Sequence, residues 1–259
     1  MVIFIYAYYS VNTNMMEIIN KIKSNFFDVG KLNKQYVSTP PYPTLCLDNF
    51  LPANITLDMK KECQKLKWDK EFTRAGSYMK EKTELEDCPV ALNVKNQLSS
   101  KPFLQWLGDI TGHYDIIPDP YMIGAGYMRC GTGDSLKIHT DFNWVEEVAL
   151  NRAVSVIIYF NRGWNKDWGG ILNFYDTKRK NIYSSITPNS GNMLVWTYKN
   201  LVYHGYPDPM TCPVDECRRG IRLFYLTSDA KTDPKNPPHR SLYWFDEEKG
   251  IPYDQREEK

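Results

Sequence analysis

The 259 residues are enough for one large domain with a substantial core, and the formal charge of +1 gives no electrostatic case for nucleic acid or a membrane surface as partner. Aromatics make up 14% of the chain and 18 residues are tyrosine, a composition that favours strands. The cysteines, Cys46, Cys63, Cys88, Cys130, Cys212 and Cys217, form no Cys-x-x-Cys pair, so they read as free thiols of a reducing compartment rather than as a zinc knuckle.

The apolar opening Met1–Tyr9 lacks a basic flank and is too short to span a bilayer, so it is expected to be an added strand or a tail of a cytoplasmic protein. Apolar spacing through Ile18, Ile19, Ile22 and Phe26 predicts a helix over 16–26, and Pro40, Pro41 and Pro43 an extended connector. Thr44–Leu47 reads as a strand. Asn54 is placed to cap a helix running to about Leu66, with Ile55, Met59 and Cys63 on one face. Phe72–Met79 reads as a strand. Pro89 opens a helix carrying Leu92 and Leu98. Ser99 or Ser100 caps the next one, where Phe103, Trp106, Leu107 and Ile110 form a stripe that Gly112 ends.

After Pro118 and Pro120 the texture changes. Strands are predicted at Met122–Arg129, Leu136–Asp141, Val154–Phe160, Ile171–Tyr175, Ile182–Ile186, Met193–Trp196, Leu201–His204 and Arg219–Thr227, separated by Gly-, Pro- and Asn-rich turns. A run of about eight short strands without interleaved helices argues for a double-sheet jelly roll, with the earlier helices packed on one sheet. The organisation expected is a 1–44 extension, a 45–230 domain whose jelly-roll core spans about 121–228, and a charged, Pro-containing tail over 231–259 with only Tyr243-Trp244-Phe245 to bury.

Within Lys137-Ile138-His139-Thr140-Asp141-Phe142, His139 and Asp141 stand two apart, so on a strand both side chains leave the same face. A bare His-x-Asp is more often the mark of a hydrogen-bonded surface turn. What raises it is the scarcity of histidine and the presence of His204 beyond several strands. Two histidines and one carboxylate are the facial triad of non-haem Fe(II) oxygenases. His113 lies at a helix end and reads as structural.

From about Leu45 to Thr227 the ordered motifs resemble the Fe(II)/2-oxoglutarate-dependent oxygenases of the prolyl-4-hydroxylase-like superfamily, bacterial and phage members above all. Leu47-Asp48-Asn49-Phe50-Leu51-Pro52 is similar to the family's strand-to-helix entry. Arg152 through Asn161 resembles its third core strand, Trp164 the tryptophan after that strand, and Trp168-Gly169-Gly170 its Gly-Gly strand entry. His204-Gly205-Tyr206-Pro207 and Arg218 through Tyr225 are similar to its distal histidine and last strand.

The resemblance implies a mainly β fold with flanking helices, a double-stranded β-helix. It implies Fe(II) on His139, Asp141 and His204, 2-oxoglutarate and O2 as cosubstrates, and ascorbate as reductant. It puts the distal carboxylate of 2-oxoglutarate on Arg218 with help from Tyr159. Arg222, four residues on and therefore on the same strand face, is the second candidate or a substrate-binding residue; Arg219 points away. Tyr127 or Cys130 is expected on the same wall, and Trp196 and Phe224 in the core. The activity implied is hydroxylation of a prolyl residue in a peptide or protein, or of a free amino acid-like small molecule. The alternatives are an oxygenase for another metabolite or a modified nucleobase, or a silent jelly-roll binding module. The polar segment Arg74–Cys88 is expected to be a lid over substrate, and the loop 143–151 to border the mouth.

Overall fold

The computed structural model describes residues 16–24, 26–68, 80–82, 84–198, 201–228 and 236–243. The apolar opening, the strand expected at Phe72–Met79, positions 74–79 and 83 of the expected lid, Trp244-Phe245 and most of the tail lie outside the described residues.

Five α-helices are described. α1 (Glu17–Lys23) and α2 (Val29–Ser38) precede β1 (Thr44–Leu47), and α3 (Ala53–Lys65) precedes β2 (Lys80–Lys82). α4 (Pro89–Leu98) and α5 (Lys101–Thr111) come next. α5 forms where the stripe predicts it: Phe103, Trp106, Leu107 and Ile110 are buried, and Gly112 ends it in the left-handed region at φ 79°, its N–H bonded to the Gly108 carbonyl at 2.7 Å. Two local readings need correction. α3 starts one residue before Asn54, because Pro52, held at φ −59°, occupies the cap position without a side-chain bond. α2 was not evident from the pattern, since its buried stripe is only Leu32 and Tyr36; its signal is Asp28, whose carboxylate accepts from the Lys31 N–H at 3.0 Å.

The rest is two antiparallel sheets. β3 (Ile116–Pro118), β4 (Gly126–Cys130), β5 (Leu136–Thr140), β6 (Trp144–Val145) and β7 (Leu150–Tyr159) come first. β8 (Leu172–Tyr175), β9 (Ile182–Ile186), β10 (Met193–Thr197), β11 (His204–Tyr206), β12 (Arg218–Thr227) and β13 (Leu242–Tyr243) complete them. The eight-stranded sheet runs β1-β10-β7-β12-β4-β2, with β3 on β12 and β6 on β7; the five-stranded sheet runs β13-β5-β11-β8-β9. This is the expected jelly roll with helices on one sheet. β4 starts later than predicted because Met122 and Gly124 take positive φ, which breaks the extended backbone before Gly126.

Two cores result. One lies between the helices and the outer face of the large sheet, where Phe50, Phe103 and Trp106 join Val154, Val156, Ile158, Ile221, Leu223 and Tyr225. Each such side chain contributes about 1.5–3 kcal/mol on burial. Tyr36 ties α2 to β10 by a 2.8 Å bond to Thr197. The other core lies between the sheets and contains Tyr159, Trp164, Phe174, Trp196 and Tyr206. Among the described residues no helix is long and apolar enough to cross a membrane.

Candidate metal centre and cosubstrate pocket

β5 carries His139 and leads directly to Asp141; β11 opens with His204, paired with His139 across the ladder. The closeness of these strands is made possible by Gly205, where a Cβ would stand 2.7 Å from the Leu136 carbonyl. The result is three buried side chains whose ligand atoms all lie within 4.8 Å of one another. His139 Nε2 is 3.2 Å from Asp141 Oδ1, and His204 Nε2 is 3.7 Å from Oδ2.

The donor set fits a cation. Each histidine places Nδ1 2.9 Å from a backbone carbonyl two residues back, Lys137 for His139 and Val202 for His204. A carbonyl can only accept, so Nδ1 carries the hydrogen and Nε2 turns a lone pair inward. Burial, then the neighbouring His139, push His204 down to about 4, so it is neutral at pH 7. Burial works to raise Asp141, but His204, His139 and Arg222 together hold it well below the usual carboxylate range. Lone pairs and a carboxylate converging without a hydrogen between them are what a divalent ion requires.

Three neighbours fix the geometry. Tyr198 donates to Asp141 Oδ2 at 2.9 Å and also contacts Ser155 Oγ. Tyr243 of β13 stacks on the His139 ring at 5.1 Å between centroids, and Trp196 lies 5.3 Å from the His204 ring. Sequence reasoning missed Tyr198 and Tyr243 in these positions; the signals present were the aromatic run of β10 continuing to Tyr198, and the isolated aromatics in a polar tail. Trp196 and Phe224 are both buried in the core as expected, and Phe224 also meets Arg152.

Arg218 lies among the residues of the inner core. Its Nη2 donates to Tyr159 Oη at 2.8 Å and its Nε to the Gly170 carbonyl at 2.9 Å, and its guanidinium also faces the Tyr206 ring at 4.7 Å. Burial raises Tyr159, more than Arg218 lowers it, so the phenol keeps its hydrogen and can donate to an anion. Cys130 Sγ meets Tyr206 Oη at 3.1 Å on the same wall. Gly170 makes the room: a Cβ there would come within 3.1 Å of Arg218 Cδ, at φ 68°.

Tyr127 is not part of this wall. Its register on β4 turns it to the helix side, where its hydroxyl donates to Glu62 Oε1 at 2.6 Å, while Met128 and Cys130 face inward. Arg219 points away as expected, donating to the Cys217 carbonyl at 3.0 Å and lying 3.6 Å from Glu216. Arg222 and Arg152 interact electrostatically with Asp141. Arg222 Nε donates to the Gly124 carbonyl at 2.7 Å. Arg152 is clamped between the rings of Phe142 and Phe224, its Cζ 3.4 and 3.5 Å from their centroids.

The sequence profile of the 2OG-Fe(II) oxygenase superfamily matches residues 125–226, the span that holds every residue of the triad and Arg218. Over that span the chain is similar to this superfamily. Its members use Fe(II), 2-oxoglutarate and O2, and the centre just described has the donors for the metal. No curated protein is similar enough in sequence to match. Solved structures share the fold of this chain. A Pseudomonas putida prolyl-4-hydroxylase is 18% identical, with 76% of this chain and 98% of that one covered, at a TM-score of 0.52. A Trichoplax adhaerens prolyl hydroxylase in complex with a hypoxia inducible factor peptide fragment is 15% identical over 84% and 92%, at 0.53. HygX from Streptomyces hygroscopicus, with nickel, 2-oxoglutarate and hygromycin B bound, is 11% identical over 80% and 97%, at 0.54.

Proposed function

We propose that this dioxygenase hydroxylates a prolyl residue of a peptide or protein, with His139, Asp141 and His204 holding Fe(II) and Arg218 with Tyr159 holding the distal carboxylate of 2-oxoglutarate. The observation that carries the reading is the pairing of a buried His-Asp-His cluster with a buried guanidinium whose neighbour is a phenol free to donate. The prolyl half rests on the likeness to prolyl hydroxylases.

Iron, when bound, supplies the redox chemistry that splits O2 between the two substrates. The balance is 2-oxoglutarate, O2 and R–H giving succinate, CO2 and R–OH. The chain's own residues orient and exclude water. The Nδ1 bonds to Lys137 and Val202 keep both imidazoles in the metal-ready tautomer, and Tyr198 keeps Asp141 Oδ2 from rotating. Arg218 offers a planar fork to a carboxylate, and Tyr159 a second hydrogen bond. The aromatic walls, Phe174, Trp196 and Tyr206, keep this end of the interior dry.

The test is incubation of the protein with Fe(II), ascorbate and 2-oxoglutarate together with proline-containing peptides. Succinate should form in step with a mass gain of one oxygen atom on a peptide. Succinate without any peptide oxidation would remove the prolyl assignment and leave the dioxygenase.

A further inference from the structure

β5 bears His139 and leads to Asp141, yet its hold on the small sheet through β11 is short. β11 is His204–Tyr206, and it meets β5 in the pairs His204↔His139 and Tyr206↔Leu136, with an irregularity between them. A strand paired briefly on one side and open on the other frays. What closes the open edge of β5 is β13, from beyond the last strand of the large sheet: Leu242 pairs with Thr140 and Tyr243 with His139.

The segment Asn236–Tyr243 is a strap that grips the chain on both sides of Asp141. Asn143 is its latch. The residue is 5% exposed, and its whole side-chain amide is directed at strap main chain: Nδ2 donates to the carbonyls of Asn236 at 3.4 Å and Pro237 at 3.1 Å, and Oδ1 accepts the His239 N–H at 2.8 Å. Its backbone N–H donates to the His239 carbonyl at 3.2 Å. Pro237 and Pro238 have no N–H, so His239 supplies the first donor after the two accepting carbonyls. Phe142, between Asp141 and the latch, donates its N–H to Ser241 Oγ at 3.2 Å. Asn236, itself buried, donates to the Tyr198 carbonyl at 2.8 Å, and Tyr198 is the residue that donates to Asp141 Oδ2 at 2.9 Å. Tyr243 covers the His139 ring with 18° between the planes.

Each of these grips ends on a residue that neighbours or touches a ligand of the triad. Departure of the strap would leave the buried Asn143 amide without these partners, which is costly, so the strap is held where it lies. It would also reopen the edge of β5 beside His139 and free the backbone that follows Asp141. Lone pairs converge on an ion only while the residues around the ligands fix their direction.

We infer that the Asn236–Tyr243 strap is a positioning element of the metal centre, acting through Asn143, Asn236 and Tyr243: it holds His139 and Asp141 in the arrangement that takes the ion. This rests on the metal-binding half of the proposed function, and it adds residues that lie beyond the span 125–226 matched by the superfamily. Coupling is reciprocal, so an ion at the centre holds the strap in turn.

The experiment uses the full chain. Fe(II) affinity is measured anaerobically, by competition with a chelator, for the wild type, Asn143→Ala, Asn236→Ala, Tyr243→Leu and Tyr243→Phe. The first three variants should lose about 10- to 100-fold in affinity, whereas Tyr243→Phe, which keeps the stacked ring, should stay within about threefold. Limited digestion with trypsin, with and without Fe(II), gives a second readout. Arg240 is exposed within the strap, and Lys178 is exposed in the turn between β8 and β9. Fe(II) should slow cleavage after Arg240 about tenfold or more and leave cleavage after Lys178 unchanged. In Asp141→Asn, which loses the charged ligand, that protection should vanish. Should Asn143→Ala fail to fold, Tyr243→Leu with its Tyr243→Phe control decides. Variants that lower unfolding stability but bind Fe(II) as the wild type does overturn the inference, since the strap is then packing alone. Cleavage after Arg240 that is indifferent to Fe(II) overturns it too, and Tyr243→Phe binding as weakly as Tyr243→Leu overturns the role of the stack. Wild-type protein that takes up no Fe(II) overturns the metal reading together with the inference, a result distinct from a loaded protein with an indifferent strap.

Discussion

β12 has two faces that do opposite work. Ile221, Leu223 and Tyr225 turn toward the helices and bury hydrocarbon and ring, with Tyr225 packed against Phe103. Arg218 and Arg222 turn the other way, into the space between the sheets. The helix side has little to neutralise and stabilises the fold by burial. The inner side buries the charged groups of the site, Arg152, Arg218, Arg222 and Asp141. Stability and chemistry are separated across the thickness of one sheet.

Changes on the two faces should therefore have separable consequences. Arg218→Ala removes one member of a buried charge pair, a change that costs about 3–5 kcal/mol where the partner ion stays behind. The 2-oxoglutarate concentration needed for half-maximal succinate formation should rise by about two orders of magnitude or more, while metal affinity holds. If Arg222→Ala has that effect and Arg218→Ala does not, the assignment of the two arginines is reversed. On the other face, Phe103→Ala should lower unfolding stability by about 3–5 kcal/mol in denaturant titration, and leave metal affinity of the folded fraction unchanged. A drop in both would mean the faces are coupled.

A milder change sharpens the inner side. Tyr198→Phe keeps the ring and removes the hydrogen bond to Asp141. Loss of such an orienting partner typically costs about 10- to 100-fold, read as Fe(II) affinity by competition with a chelator. Unchanged affinity would make Tyr198 a packing residue only.

Protons separate the faces too, by pH. His204, held down to about 4, stays neutral in the metal-free fold while the unfolded chain gains a proton near 6.5. The unfolded state then binds more protons, so stability without metal is lost as pH falls from 6.5 toward 4, by about 1.4 kcal/mol per unit. On the helix side, burial pushes Cys63 and Tyr36 up to about 12 from 9.0 and 10.0. The fold keeps protons that the unfolded chain releases, so stability falls as pH rises through that window. Denaturant midpoints across the pH range check both limbs; a flat acid limb without metal would contradict the neutral His204.

The sequence disclosed the triad because its chemistry is local: two ligands alternate on one strand, and the third lies on a strand that also ends in Gly-Tyr-Pro. Arg218 came from resemblance, and the register supports its direction. What was hidden depends on contacts made across the fold. Tyr198, Tyr243 and the Phe142–Arg152–Phe224 stack bring together residues from separate strands, and no spacing within a strand announces them. Tyr127 was misplaced because the positive-φ residues from 122 to 126 shift where regular alternation begins.

The central claim is that this interior binds Fe(II) and 2-oxoglutarate together. It is tested most directly by titrating Fe(II) anaerobically into protein with 2-oxoglutarate and tracking the visible charge-transfer absorption of the chelated ketoacid. The account predicts a band that saturates at one iron per chain in the wild type, is absent in Asp141→Ala, and in Arg218→Ala develops only at much higher 2-oxoglutarate. A wild-type protein that shows no band at saturating iron and 2-oxoglutarate, or an Asp141→Ala variant that shows the full one, would contradict it.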